Sequence, residues 1–232
     1  MTATPSPSPS PRDVHELIRV LPDVPTLRDR CRALAALEAL MGGRYDRYFD
    51  YDPAWGPGTE AALMNNGSGD EYAILFTPDG VFGRGFDHES WMSPYTNEDM
   101  ELWPGLVDTL PEVFRPLLDE PAFCDDDVQV ATVVFWRETA DTAWRAGPVE
   151  LPAEGEDGTA HLFDVLAAGT PEAYADWARD YHEREIDLDA VRHVFALRPL
   201  TDGVVKALAP ETEPGAVAAA MAGIGYPVVR CG

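Results

Sequence analysis

The stretch from Asn65 to Ser90, NNGSGDEYAILFTPDGVFGRGFDHES, limits the fold of this chain more than any other. Two runs of strand-forming residues, Tyr72–Phe76 and Val81–Phe86, flank the turn Thr77-Pro78-Asp79-Gly80. Proline presets φ within such a turn and glycine can take positive φ, so the pair reads as an antiparallel hairpin. Tyr72, Ile74 and Phe76 alternate with Ala73 and Leu75, so both faces of the first strand are largely apolar. A strand covered on both sides belongs in the middle of a sheet. Gly83 and Gly85 in the second strand predict a bulge or a close approach by another segment.

The remaining elements divide unevenly around the hairpin. Residues 1–11, rich in Ser and Pro, lack apolar groups to bury and are expected to be a disordered tail. Val14, Leu17, Ile18 and Leu21 recur at helical spacing until Pro22. Leu27, Cys31, Leu34, Leu37 and Met41 mark a second helix, with Thr26 as its cap and Gly42-Gly43 as its stop. The aromatic and acidic segment RYDRYFDYDPAWGPG reads as a loop plugging the core edge, and Tyr45, Tyr48, Phe49, Tyr51 and Trp55 could alternatively line a pocket. Trp103 to Leu118 predicts two short helices separated at Pro111. Val128–Arg137 is dense in β-branched and aromatic residues and predicts a strand, with Thr142–Val149 as its antiparallel partner and Trp144 facing the core.

Residues 152–158, with Gly and acidic groups, read as a linker between an α+β domain over 12–151 and a helical C-terminal part over 159–232 packed on it. There Thr170 precedes Pro171, a cap and first-turn pair, and Tyr174, Trp177, Ala178 and Tyr181 form one stripe. Further helices are expected at 188–196, 201–209 and 214–224. The fold class is therefore α+β: an antiparallel sheet around a central hairpin, packed with helices.

Charge narrows the partners. The 232-residue chain has 41 acidic and 17 basic residues, a net charge of −24, and Lys206 is its sole lysine. So negative a surface repels phosphate backbones, and no basic run offers a local exception, which argues against nucleic acid. The same field suits solubility or the capture of a basic protein. No apolar run approaches membrane-spanning length and no leader-like segment is visible, so a cytoplasmic protein without membrane contact is expected. Cys31, Cys124 and Cys231 are isolated and form neither a disulfide framework nor a metal knuckle. Cys31 reads as a core residue, and Asp125, Asp126 and Asp127 are expected to blunt Cys124 by raising its pKa.

The hairpin's open end gathers the residues with most chemical potential. Asp70 and Glu71 begin it, and Asp87, His88 and Glu89 finish it. Antiparallel ends meet, so Asp70, Asp87, His88 and Glu89 could hold a divalent cation or act as an acid and base pair. Continued strand alternation would put Asp87 and Glu89 on one face and His88 on the other. These groups could equally serve as turn and cap acceptors for backbone N–H groups. Asn66, Glu71, Trp91 and Tyr95 complete a candidate binding surface beside them.

Other motifs carry less. His182 and His193 fit no two-histidine helical pattern, and His15 and His161 stand alone in sequence. Ser68 precedes a strand rather than following one, unlike a nucleophile elbow. No phosphate loop exists, and GVFGRG lies in a hairpin rather than at a helix start. No catalytic residue and no cofactor are therefore assigned.

Gly67-Ser68-Gly69-Asp70, the strand Tyr72-Ala73-Ile74-Leu75-Phe76, the turn Asp79-Gly80 and the end Asp87-His88-Glu89 together resemble the SUKH-type superfamily of bacterial immunity proteins. The resemblance spans about a tenth of the chain. It implies an α+β domain that binds and neutralises a protein toxin, without catalytic residues. A non-enzymatic binding protein with a basic partner is the leading expectation. A metal-dependent hydrolase or small-molecule binder at the hairpin mouth, walled by Trp91 and Tyr95, is the alternative. An aromatic surface that forms a homo-oligomer is a third.

Overall fold

The computed structural model describes residues 10–41, 47–125, 128–152, 155–212 and 214–227. Residues 1–9 of the Ser-Pro tail, the Gly42-Gly43 stop, Tyr45, Asp126, Asp127 and Cys231 lie outside the described residues, as do 153 and 154 of the expected linker.

Two helices open the fold. In α1 (Val14–Val20), the Asp13 side chain accepts from the amide of Glu16. In α2 (Val24–Met41), Asp23 accepts from the amide of Thr26, so the cap is Asp23 and not Thr26. Pro25 then sits in the first turn, where its missing N–H has no helical partner to lose. The chain turns into β1 (Phe49–Gly56) and β2 (Thr59–Asn65), followed by the hairpin strands β3 (Glu71–Thr77) and β4 (Gly80–Phe86).

After β4 the chain runs through 3₁₀ turns at Pro94–Thr96, Glu112–Asp119 and Pro121–Phe123. A two-residue pair, β5 (Cys124–Asp125) and β6 (Val128–Gln129), precedes β7 (Val133–Glu138) and β8 (Arg145–Ala146). The last part is helical: α3 (Thr159–Leu162), α4 (Asp164–Ala168), α5 (Pro171–Tyr181), α6 (Leu188–Phe195), α7 (Asp202–Leu208) and α8 (Pro214–Ile224).

The main sheet is antiparallel, in the order β1-β2-β3-β4-β7-β8. The architecture is α+β, and the hairpin strands β3 and β4 are its centre. One face, with Tyr72, Ile74, Phe76, Val133 and Phe135, packs against α1, α2 and the C-terminal helices. The other, with Ala73, Leu75, Phe82, Val134 and Trp136, is covered by the 3₁₀ segment through Leu106, Leu110, Phe114 and Phe123. The period-two alternation of apolar residues in β3 and β7 thus feeds two separate cores.

Several sequence expectations need correction. The aromatic segment is not a loop: it forms the edge strand β1, paired with β2 from Phe49↔Met64 to Asp52↔Ala61. Pro53 is compatible with this because the register breaks between Asp52 and Gly56, and an edge strand can lose a ladder donor. The strand expected over Val128–Arg137 is broken at 130–132, where Thr132 turns aside to donate from its amide to Gly85 O at 2.8 Å and from its hydroxyl to Asp157 O at 2.7 Å. Its partner shrinks to Arg145–Ala146. Trp144 is buried as expected, its indole N–H donating to Pro22 O at 2.6 Å. In place of two helices over 103–118 there are turns and one 3₁₀ run with Pro116 inside it.

Gly83 causes no bulge, since β3 and β4 pair in unbroken register. It admits a close approach instead. A Cβ there would lie 2.2 Å from Phe135 Cζ on the neighbouring strand.

The expected linker is tied down at its end. Asp157 is fully buried, accepts from the amides of Val14 and Thr159 at 2.8 Å each, and its burial raises its pKa. Residues of α2 and of the C-terminal helices share one continuous core, including Leu34, Leu37, Tyr174, Val191, Val217 and Met221.

Candidate functional site

The hairpin mouth is built by the ends of β2, β3 and β4. Asn65 and Asn66 close the β2–β3 loop by accepting from the amides of Gly67, Ser68 and Asp70. The Asn66 amide group also donates to Asp70 Oδ2 at 2.7 Å. This loop chemistry turns the Asp70 side chain inward, where it is nearly buried. Glu71 points the other way and pairs with the buried guanidinium of Arg84 at 2.7 Å, above the Phe123 ring. Asn66 and Glu71 therefore act as scaffold within this mouth.

β4 stops at Phe86, and that decides the geometry of the next three residues. Without a continuing strand, Asp87 and His88 do not alternate to opposite faces, contrary to the sequence expectation. The chain turns, with Glu89 N donating to Asp87 Oδ1 at 2.9 Å. His88 then folds back on Asp70: its amide donates to Asp70 Oδ1 at 3.1 Å and its Nδ1 lies 2.7 Å from the same oxygen. Potential ligand atoms of Asp70, Asp87 and His88 fall within 4.8 Å of one another. Glu89 remains exposed and takes no part in that group. Asp70 and Asp87 also accept backbone N–H groups, as turn residues should.

His161 lies beside the two carboxylates, outside the group of three that falls within 4.8 Å, although sequence reasoning left it alone. It lies on α3, and its Nε2 sits 3.5 Å from Asp70 Oδ2 and 4.0 Å from Asp87 Oδ2. What brings α3 so near is Gly158 at φ 89, packed on Asp87. A Cβ at Gly158 would lie 2.4 Å from the Asp87 Cβ. The one signal in the sequence was Asp157-Gly158 directly before a helical residue pattern, a cue to a turn but not to its neighbour.

Electrostatics follow the geometry. Burial pushes the Asp70 carboxyl up, but bonds from the His88 ring and amide and from Asn66 outweigh it and hold the group below the usual carboxylate range. His88 is raised, chiefly by its bond to Asp70. A raised imidazole stabilises the fold fully below its unfolded pKa of about 6.5, and that contribution is lost as pH rises through the folded value. The His88 ring protons, followed by NMR, should thus titrate above the ordinary histidine range, and Asp70→Asn should bring the midpoint down. A midpoint that does not move in Asp70→Asn would show that the pair does not form in solution.

Beside the mouth, the loop after His88 presents aromatic surface. Trp91 is 66% exposed and Tyr95 51%. The Tyr95 hydroxyl donates to Asp125 Oδ2 at 2.6 Å and its ring meets Phe86 edge-on. Glu89, Glu98, Asp99, Glu101 and Glu156 are exposed in the neighbouring segments.

His182, expected to be an isolated histidine, is anchored to a fully buried carboxylate. Its Nε2 lies 3.1 Å from Glu38 Oε1, which also accepts from the Tyr174 hydroxyl at 2.8 Å. The aromatic stripe Tyr174, Trp177 and Tyr181 packs with Tyr48 and Phe49 around this group. Cys31 is a core residue, and burial pushes its thiol up to about 12. Among the described residues no helix is long and apolar enough to cross a membrane.

The chain matches no protein-family profile, no curated protein and no solved structure.

Proposed function

We propose that this protein is a non-enzymatic binding module that captures a basic protein partner with the acidic, aromatic surface beside the hairpin mouth. The observation that carries the reading is the exposure of Trp91, 66%, on a loop flanked by carboxylates. A large indole left in water costs solvation that a partner recovers, and Trp is enriched among the residues that dominate binding energy. Its ring face also attracts the guanidinium or ammonium groups that a net charge of −24 would steer inward. The proposed site of action is the cytoplasm, which fits three cysteines scattered singly along the sequence rather than spaced as a disulfide framework. A toxin neutralised by an immunity-type module is the kind of partner that the hairpin resemblance suggests.

The test is affinity capture from the native host, followed by binding measurements on the purified partner. The captured protein should be basic, and its affinity should fall as salt rises, because the attraction between surface charges is screened. Trp91→Ala should weaken it by about 2 kcal/mol or more with the thermal melt unchanged. Salt-independent binding, or full affinity in Trp91→Ala, would reject this surface as the interface.

A further inference from the structure

Hydrogen bonds within the protein account for the placing of Asp70, Asp87 and His88 in the hairpin mouth, but not for the approach of His161 to the two carboxylates. Asp70 Oδ1 accepts from His88 and Oδ2 from the Asn66 amide group at 2.7 Å, while His161 Nε2 stands 3.5 Å from Asp70 Oδ2 and 4.0 Å from Asp87 Oδ2. These gaps are too long for good hydrogen bonds. They resemble the separations between donors that share one ion: bonds of 2.0–2.1 Å in a tetrahedron put neighbouring ligand atoms about 3.3 Å apart.

We propose that Asp70, Asp87, His88 and His161 form a binding site for a first-row transition dication, of which zinc is the representative. The ligand chemistry selects the class. Two imidazoles with two carboxylates suit zinc and its neighbours, whereas calcium and magnesium favour sites made of oxygen alone. The chain topology supports a built site. Three ligands come from the two ends of one hairpin, and the fourth arrives from α3, delivered by the tight packing of Gly158 on Asp87. The two carboxylates are nearly buried while the imidazoles are about half exposed, so the ion would reach the carboxylates past the histidines. Binding replaces the proton shared by His88 Nδ1 and Asp70 Oδ1, which passes to solvent.

Such an ion would clamp the start of the C-terminal helical part to the mouth of the central hairpin. This role is independent of the partner proposed above.

Calorimetric titration of the full-length, tag-free protein with zinc chloride tests the site. One ion should bind per chain, and saturation should raise the melting temperature. His161→Ala replaces an exposed side chain, so it should leave the fold intact while weakening zinc by at least about tenfold. Asp87→Asn should weaken it similarly, and Glu89→Gln should leave it unchanged. X-ray absorption at the zinc edge should show a nitrogen and oxygen shell with imidazole scattering. The proposal fails if no stoichiometric binding occurs, if His161→Ala binds as tightly as the parent, or if sulfur appears in the shell.

Discussion

Glu38→Ala is expected to destabilise the protein by about 3–5 kcal/mol, the range for removing one member of a buried charged network. Glu38 is fully buried on α2, yet it is the acceptor for three donors from other elements. Its Oε1 takes the Tyr174 hydroxyl and His182 Nε2, and its Oε2 takes the amide of Tyr48 at 3.2 Å. Truncation strands all three in a site walled by aromatic rings, and each unsatisfied buried group costs about 1–3 kcal/mol. Glu38→Gln keeps an acceptor oxygen and should cost less. Urea unfolding reads the effect as a drop in the midpoint at constant slope. A loss under about 1 kcal/mol would mean that the stranded donors find water, and that the site is wetter than its burial indicates.

The second large effect is expected at Gly83. In Gly83→Val the new side chain would have to occupy the position of the Phe135 ring, whose Cζ, Cε2 and Cε1 lie 2.2, 2.5 and 2.6 Å from an ideal Cβ. Phe135 cannot retreat, because it is fully buried with its ring against Trp144 and Phe163. Overpacking of this kind costs about 1–3 kcal/mol and sometimes more, and valine should reach the upper end. Gly83→Ala should cost less than valine but remain measurable. Shortening the obstacle separates this clash from a simple change in strand propensity. Gly83→Ala combined with Phe135→Leu should show a favourable coupling of about 1 kcal/mol or more in a double-mutant cycle. Additive losses would place the strain somewhere other than between these two residues.

How far the sequence could be read depended on whether a feature was local. The hairpin was legible because alternation, turn residues and strand propensity coincide within Tyr72–Phe86. The cap Thr170 and the helices near 188, 201 and 214 were local as well. β1 was hidden by Pro53 and by its acidic residues, which are tolerated only because the strand lies at an edge with irregular register. β7 lost its first residues to a contact that spans the chain, from Thr132 to Asp157.

The site divides along the same line. Asp70, Asp87 and His88 were legible because the two ends of a hairpin must meet. His161 was not, since its place depends on how α3 docks 73 residues further along than His88. The Glu38–His182 pairing, across 144 residues, was equally beyond any local pattern.

The core shared by α2 and the C-terminal helices has a consequence for how the molecule is made. α2 leaves the ribosome well before Tyr174, Val191, Val217 and Met221, which share its core but follow it by more than a hundred residues. At about 5–20 residues per second, the delay between Met41 and Ile224 is about 10–40 s. Throughout that interval the meander of β1 to β4 can already pair, while the apolar flank of α2 has no permanent cover. A nascent chain of this design is thus a client for a holding chaperone, and one cut short before α5 could not bury the carboxylate that its own second helix carries inward.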